Sequence, residues 1–335
     1  MRHGHRSVAI EDKSSVGEAR RIAFQIAQAL GFGENRRSDI GIVVTEAATN
    51  VLLHATKGEL LFCPFTQGDH FWFDILAIDA GPGIQNVSRA MEDGVSSIGT
   101  AGQGLGAIAR LSDESSLHSV PGRGTVYWCC FKSSGFASTL PIGLINIPIR
   151  GETVCGDSYF IQVEPSRSIY MMVDGLGHGP GAADAANEAV TTVARFGRES
   201  ATEIIVRTHD ALKKTRGAAL SVAIVDHDRL IMKYAGVGNI SATLVTGTSS
   251  RSLVSQNGTL GAILPRVPQE FTYPIERDTL LLMFSDGLIT KTNTVGYPGL
   301  QNRHPALIAG VLFRDFSRHR DDATVMVAPI GGNRT

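Results

Sequence analysis

The sequence has few cysteines, and their spacing argues against disulfide bonds and zinc sites. The 335 residues include only four cysteines, and no two of them form a C-x-x-C pair. Adjacent Cys129 and Cys130 would point to opposite faces of a strand, so we predict core thiols. Such cysteine usage is typical of a reducing compartment, and we expect a cytoplasmic protein.

Long apolar runs and an excess of one charge are also absent. No run reaches the ~18–20 apolar residues that cross a bilayer, and the N-terminus, MRHGHRSVAI, lacks the apolar core of a signal peptide. The 31 basic and 32 acidic residues give a net charge of -1. This balance predicts no nucleic-acid partner and no membrane partner. The length and the 43% hydrophobic content predict about two folded domains.

The first third of the chain alternates helix and strand signals. Apolar residues at helical spacing predict a helix over 15–30, opened by the capping box Ser15-x-x-Glu18. A second helix is predicted from Ser38, as its N-cap, through His54. Later runs predict two strands, a short helix and a hairpin strand, at 58–65, 71–79, 107–111 and 125–131.

Polar residues in this region are spaced as a ligand site would require. Glu46, Asn50 and His54 fall on one face of the second helix, and buried polar groups of this kind need partners or a solvent-filled cleft. Asp79 ends a strand and is followed by a glycine-rich turn. The sequence Gly102-Gln-Gly-Leu-Gly106 leads into a helix, whose unpaired backbone N–H groups could bind phosphate.

Together, E-x-x-x-N, D-x-G-x-G, G-x-G-L-G and Gly124-Thr125 resemble the GHKL ATPase superfamily, in its RsbT/RsbW-like anti-sigma kinase branch. The resemblance covers about residues 7–131 and implies a Mg-ATP site. By this likeness Glu46 is a general base, Asn50 holds Mg²⁺ and Asp79 reads the adenine. The other residues implied to bind the nucleotide are Gly81, Gly83, Gly102, Gly104, Leu105, Gly106 and Thr125, with Glu46 also at the site. A nucleotide-binding domain that no longer transfers phosphate remains the alternative.

Four aspartates in the second half lie at the ends of strand-like runs, beside small residues. They are Asp157, Asp174, Asp286 and Asp321. A buried sheet would present them at one edge, and carboxylate oxygens are the ligands that Mg²⁺ and Mn²⁺ prefer. Taken singly, each is an ordinary turn aspartate, because Asp-Gly is a common turn dipeptide.

The motifs G-D-S-Y, D-G-L-G-H-G, T-R-G-A-A-L, A-G-V-G-N, S-D-G-L and D-D-A-T-V resemble the PPM superfamily of metal-dependent protein phosphatases, in its SpoIIE/RsbX-like branch. The resemblance covers residues 151–329 and implies two Mn²⁺ or Mg²⁺ ions. Asp174 is implied to bridge them, and both Asp286 and Asp321 are implied to act in catalysis and metal binding. Asp157 and the Gly175 carbonyl would complete the second site.

Three points near these motifs stay undecided. Asp322 is a less certain neighbour of the metal ligands. His178 is either a proton donor or a structural residue of its turn. No arginine matches the phosphate-binding arginine of the eukaryotic branch.

We therefore expect an α+β chain of two domains. The first is a GHKL (Bergerat) α/β sandwich over 1–133, then a linker over 134–140, then a PPM-type αββα sandwich over 141–335. The expected function is a phosphoserine/phosphothreonine phosphatase fused to an anti-sigma-type serine kinase. Its expected partner is a phosphorylated STAS-type or stressosome-like protein, and a homodimer is a further expectation. The rival is a non-catalytic first domain that senses nucleotide or binds a partner and gates the phosphatase.

Overall fold

The computed structural model describes residues 4–55, 57–87, 104–136, 142–247, 249–289, 292, 294, 296–297 and 299–331. The chain divides into two compact units. Unit 1 comprises Met1–Leu140 and Asn302–Asp315, and unit 2 comprises Pro141–Gln301 and Phe316–Thr335. None of the described helices is both long enough and apolar enough to cross a membrane.

Unit 1 is built on a five-stranded antiparallel sheet with the strand order β1-β2-β3-β5-β4. Its strands are β1 (Arg6–Ala9), β2 (Gly58–Gln67), β3 (His70–Asp79), β4 (Glu114–Val120) and β5 (Gly124–Lys132). Among the described residues of this unit, the strands are accompanied by the helices α1 (Lys13–Leu30), α2 (Glu34–His54) and α3 (Gly104–Leu111). Apolar side chains of α1 and α2 form one core with Phe62, Phe73 and Ile75 on one face of the sheet.

The predicted starts of the first two helices were wrong. Helix α1 begins at Lys13, because Asp12 is the N-cap and accepts a hydrogen bond from the Ser15 backbone N–H. The Ser15 hydroxyl in turn accepts from the Asp12 backbone N–H, which completes a capping box one turn earlier than predicted. Helix α2 begins at Glu34 after Gly33, so Ser38 lies inside it. The Ser38 hydroxyl donates a hydrogen bond to the Glu34 carbonyl and does not cap the helix N-terminus.

Unit 2 contains two five-stranded antiparallel sheets, with the orders β13-β10-β9-β8-β7 and β12-β11-β14-β15-β6. The strands of the first are β7 (Asp157–Val163), β8 (Arg167–Gly175), β9 (Ala218–Asp226), β10 (Ile231–Val237) and β13 (Phe271–Pro274). Those of the second are β6 (Gly143–Ile147), β11 (Ser241–Thr246), β12 (Ser249–Ser252), β14 (Leu280–Phe284) and β15 (Ala323–Pro329). Helices α4 (Pro180–Phe196) and α5 (Ala201–Leu212) share a core with β8, β9 and β10.

A last helix, α6 (Pro305–Phe316), follows a 3₁₀ turn at Leu300–Asn302. Residues 302–315 belong to unit 1 although the chain on either side of them belongs to unit 2. Gly310 of α6 lies against Leu76 and Val126, on the face of the sheet opposite α1 and α2. The ring of His304 also stacks on Trp128 with 3.8 Å between centroids. The segment 302–315 therefore covers the second face of the unit 1 sheet.

Candidate functional site

Two polar residues of α2 lie where α3 begins. A Cβ atom at Gly104 would be 3.0 Å from Oε2 of Glu46 and 3.3 Å from Nδ2 of Asn50, so a residue without a side chain fits this position. The Nδ2 atom of Asn50 is buried and has no hydrogen-bond partner among the described residues. Leaving such a donor unpaired is costly. The atom is therefore suited to a ligand oxygen.

Asp79 and the turns around it form a second part of the same site. Its Oδ1 accepts hydrogen bonds from the backbone N–H groups of Gly81 at 2.7 Å and Thr125 at 3.2 Å. Burial raises the pKa of the Asp79 carboxyl above its usual value. Gly124 has a φ of +85°, and a Cβ there would be 2.0 Å from the Asp79 carbonyl oxygen. Only glycine can adopt this conformation at such close approach.

Four more residues were predicted to bind the nucleotide, and the structure describes three of them. Gly83 has a φ of +72° and lies against the Val120 carbonyl. The carbonyl of Leu105 accepts a hydrogen bond from the Tyr127 hydroxyl at 3.4 Å, and Gly106 is buried. Gly102 lies outside the described residues.

Ser119 is a member of this site that the sequence reading missed. Its hydroxyl accepts a hydrogen bond from the Ile84 backbone N–H at 2.8 Å and lies 2.9 Å from the Thr125 hydroxyl. It thereby ties the turn after Asp79 to the start of β5. A lone serine in a strand carries no sequence signal for this role.

The four predicted aspartates lie at strand ends in unit 2. Asp157 opens β7 and is paired in register with Asp174, near the end of β8. Asp286 follows β14 and Asp321 precedes β15, and these two strands are neighbours in the other sheet. The hydroxyl of Thr324 on β15 donates to Oδ2 of Asp157 at 2.8 Å. This hydrogen bond ties the start of β7 to β15.

Three of the aspartates, Asp174, Asp286 and Asp321, line a cleft of about 370 Å³. Burial, followed by the charges of Asp157, Asp286 and Asp321, raises the pKa of Asp174 to about 9. Burial likewise raises the pKa of Asp157 to about 7. Carboxylates that repel one another in this way are stabilised by a nearby cation.

The donor chemistry of the cleft fits hard divalent cations. Its charged donors are carboxylate oxygens, and Mg²⁺ and Mn²⁺ prefer oxygen ligands. In the part of the chain that the structure describes, no three His, Cys, Asp or Glu side chains are arranged to hold one ion together. The individual ligands therefore stay a prediction.

Two neighbours of the aspartates have roles that the sequence left open or missed. Asn239, in the A-G-V-G-N motif, lines the cleft and donates to Oδ2 of Asp286 at 2.7 Å. Asp322 is 2% exposed, and both its carboxylate oxygens accept backbone hydrogen bonds, from Ile149 and Gly156, at 2.7 Å. Asp322 is thus engaged in holding two loops.

Gly175 and His178 continue the chain beyond Asp174. A Cβ at Gly175 would be 2.2 Å from the Ala182 carbonyl oxygen, so this position also requires glycine. The Nδ1 atom of His178 lies 2.9 Å from Oε1 of Glu152. This pairing ties His178, in the turn before α4, to the loop between β6 and β7.

Two sequence families match the chain. The histidine kinase-like ATPase domain family matches residues 10–129, and the family of stage II sporulation protein E (SpoIIE) matches residues 164–330. The chain is 37% identical over 118 residues to the serine/threonine-protein kinase RsbT of Bacillus subtilis, which is 35% of this chain and 89% of that protein.

The second half has its own relatives. The phosphoserine phosphatase RsbX of Bacillus subtilis is 28% identical over 144 residues, which is 42% of this chain and 70% of that protein. A solved structure from work on the bacterial stressosome, as a modular system adapted to control secondary messenger signalling, superposes with a TM-score of 0.53. It is 25% identical and covers 57% of this chain and 100% of its own. The chain therefore belongs to the histidine kinase-like ATPases through residues 10–129 and carries a SpoIIE-type, PP2C-like phosphatase domain in residues 164–330.

Proposed function

We propose that the chain is a bifunctional regulator of partner switching. Unit 2 removes phosphate from a phosphoserine or phosphothreonine of a protein, and the ATPase domain binds ATP and phosphorylates a serine or threonine of a partner. The observation that carries the proposal is the acidic cleft of Asp174, Asp286 and Asp321 at neighbouring strand ends.

Two Mg²⁺ or Mn²⁺ ions are the metals that this domain type implies. Asp174 would bridge them, Asp286 and Asp321 would complete one site, and Asp157 with the Gly175 carbonyl would complete the other. Bound ions of this kind activate a water molecule and neutralise the charge that develops on a transferring phosphoryl group. Asn239 restrains Asp286 through its hydrogen bond, and Thr324 restrains Asp157 in the same way.

In the ATPase domain, Asn50 would bind Mg²⁺ on the triphosphate and Asp79 would accept a hydrogen bond from the adenine amino group. The buried, unpaired Nδ2 atom of Asn50 supports a ligand at this place. Glu46, which lies beside Gly104, would act as the base that accepts the proton of the attacking hydroxyl.

The similarity to RsbT and RsbX supports a STAS-type or stressosome-like phosphoprotein as the shared partner. One chain would then carry out both opposing reactions, and a cytoplasmic location would suit such a partner.

The test is release of inorganic phosphate from a phosphoserine protein, with Mn²⁺ or Mg²⁺ and with or without ATP. We expect Asp174→Asn to lower the rate by about a thousandfold or more, because several kcal/mol of charge stabilisation are lost. Asp210→Asn, on the exposed surface of α5, is the matched control and should retain the wild-type rate. A folded wild-type protein that releases no phosphate with either metal would refute the proposal.

A second candidate is an ATPase domain that only senses nucleotide and gates the phosphatase. One observation favours this candidate. Residues 302–315 belong to unit 1, and in the sequence they lie between Asp286 and Asp321 of the cleft, so the chain connects the ATPase domain directly to two cleft residues. Glu46→Ala separates the two candidates, with the exposed Glu18→Ala of α1 as control. A kinase loses phosphorylation of its partner while it retains ATP binding. If the domain is only a sensor, phosphate release by Glu46→Ala still responds to ATP as it does in the wild type.

A further inference from the structure

Arg216, in the T-R-G-A-A-L motif, is positioned beside the turn that follows Asp174 by the two residues after it in the chain. The next residue, Gly217, accepts a hydrogen bond through its carbonyl from the Leu176 backbone N–H at 3.0 Å. Ala218, at the start of β9, pairs in register with Gly175 of β8. The residue is therefore fixed next to the turn that follows Asp174.

The guanidinium group lies over a glycine-lined stretch of this turn. Its Nη1 atom donates to the His178 carbonyl oxygen at 3.3 Å. A Cβ at Gly177, which lines the cleft, would be 3.4 Å from Nη1, and a Cβ at Gly181 would be 2.6 Å from Nε. The two glycines leave the room that the guanidinium group occupies.

The partners of Arg216 differ from those of two other arginines in unit 2, Arg198 and Arg207. Arg198 pairs with Glu164, and Arg207 pairs with Glu199. Among the described residues, no carboxylate pairs with the exposed Arg216, and a single carbonyl accepts from it. A guanidinium group has five N–H donors in a planar fork that matches phosphate oxygens. Most of these donors are thus available to an anion at the mouth of the cleft.

We propose that Arg216 is the substrate-binding residue that holds the phosphoryl oxygens of the phosphoprotein at this cleft. The inference rests on the proposed phosphatase function and supplies the phosphate-binding arginine that the sequence motifs did not identify. The phosphate is an anion and the cleft is lined by Asp174, Asp286 and Asp321. A fixed cation at its edge therefore attracts the substrate and orients it, and it is distinct from the metals.

The test compares Arg216→Ala and Arg216→Lys with Lys214→Ala, which removes an exposed positive charge two residues away in the same loop. KM and kcat for a phosphoserine peptide, and the Kd of inorganic phosphate by calorimetry, are measured in Mg²⁺ buffer. The Kd of Mg²⁺ is measured by titrating the metal into metal-free protein. The phosphate and metal titrations do not require turnover.

For Arg216→Ala we expect KM and the phosphate Kd to rise together by about 10- to 100-fold, because charge-assisted hydrogen bonds are lost. The Mg²⁺ Kd should stay within about twofold of the wild-type value, which is within ordinary surface-mutant variation. Arg216→Lys should recover part of the loss because it keeps the charge without the fork, and Lys214→Ala should behave as wild type.

Two outcomes would overturn the inference. An unchanged phosphate Kd in Arg216→Ala shows that the residue does not bind phosphate. A Mg²⁺ Kd that rises as much as the phosphate Kd shows that Arg216 only stabilises the turn through the His178 carbonyl. A wild-type protein without phosphatase activity contradicts the proposed function instead, and the phosphate titration still decides the role of Arg216.

Discussion

Asp74 is a carboxylic acid buried in the middle of the unit 1 sheet. It is 3% exposed, and its cross-strand neighbours are Cys63 on β2 and Cys130 on β5. Burial raises the pKa of Asp74 to about 7, from a usual value of 3.8. The folded state therefore keeps its proton through a pH range in which the unfolded chain has lost it.

This shift predicts that Asp74 makes unit 1 less stable as the pH rises. The stabilising effect is complete below pH ~4 and is lost as the pH rises through ~7, because the unfolded state then binds fewer protons. Relative to Asp74→Asn, the wild type should lose up to about 4 kcal/mol of unfolding free energy between pH 4 and 8. Urea unfolding followed by tryptophan fluorescence measures it, since both tryptophans, Trp72 and Trp128, lie in unit 1.

The exposed turn residue Asp69 provides the control for this titration. Asp69→Asn should run parallel to the wild type over the whole pH range, because the Asp69 side chain is exposed to solvent in the turn between β2 and β3. A constant difference between Asp74→Asn and the wild type at all pH values would contradict the prediction.

The packing of helix α6 depends on one small residue, Gly310. A Cβ at Gly310 would be 2.6 Å from Cδ2 of Leu76 and 2.8 Å from Cγ1 of Val126. The helix thus lies close against the sheet because position 310 has no side chain. Nine consecutive residues of α6, from Pro305 to Phe313, are buried.

We expect Gly310→Leu to destabilise unit 1 by about 1–3 kcal/mol or more, because an overpacked contact forces the helix and sheet apart. The loss is measured as a lower urea midpoint in the tryptophan fluorescence of unit 1. Gly17→Leu is the matched control, since Gly17 lies in α1 with open space around it. There the substitution should be neutral or stabilising, because leucine has the higher helix propensity. Equal effects at both positions would show that α6 does not pack as described.

The sequence predicts elements well where their apolar residues are periodic, and less well where they are not. The end of α1 at Leu30 follows from the glycine after it, which is a left-handed C-cap. Helix α6 gave no amphipathic signal because it is apolar on every side. The domain division after residue 140 likewise gave no indication that 302–315 belongs with unit 1.

In the candidate sites, too, features set by neighbouring residues could be predicted from the sequence, and contacts between distant residues could not. Strand ends and glycine turns indicate where Asp79 and the four aspartates lie. The hydrogen bonds of Asn239 with Asp286 and of Asp322 with Gly156 join residues far apart in sequence. They depend on strand order, which no local pattern encodes.

At the scale of the whole molecule, the chain crosses between its units three times. It leaves unit 1 after residue 140, returns for 302–315 and leaves again. Unit 1 is therefore assembled from two stretches of chain. The N-terminal stretch is connected to the remainder both by the covalent linker and by its packing against residues 302–315.

We expect a chain cut at its linker to stay together. A protease site placed at Gly135, where a side chain would meet open space, would release residues 1–135 from the remainder. Because 302–315 packs against the unit 1 sheet, the two fragments should elute as one species in native size-exclusion chromatography. The same cut in Gly310→Leu should weaken the association. Separation of the wild-type fragments at micromolar concentration would contradict the prediction.

The interrupted course of unit 1 also affects how the protein is made. On a ribosome, residues 1–140 emerge first, but the helix that covers the second face of their sheet is not complete until residue 316. At roughly 5–20 residues per second, that delay is roughly 10–35 s. During this time Leu76, Val126 and Trp128 lack the segment 302–315, which contacts them in the finished protein. The nascent N-terminal portion therefore needs protection from aggregation until the phosphatase domain is nearly synthesised.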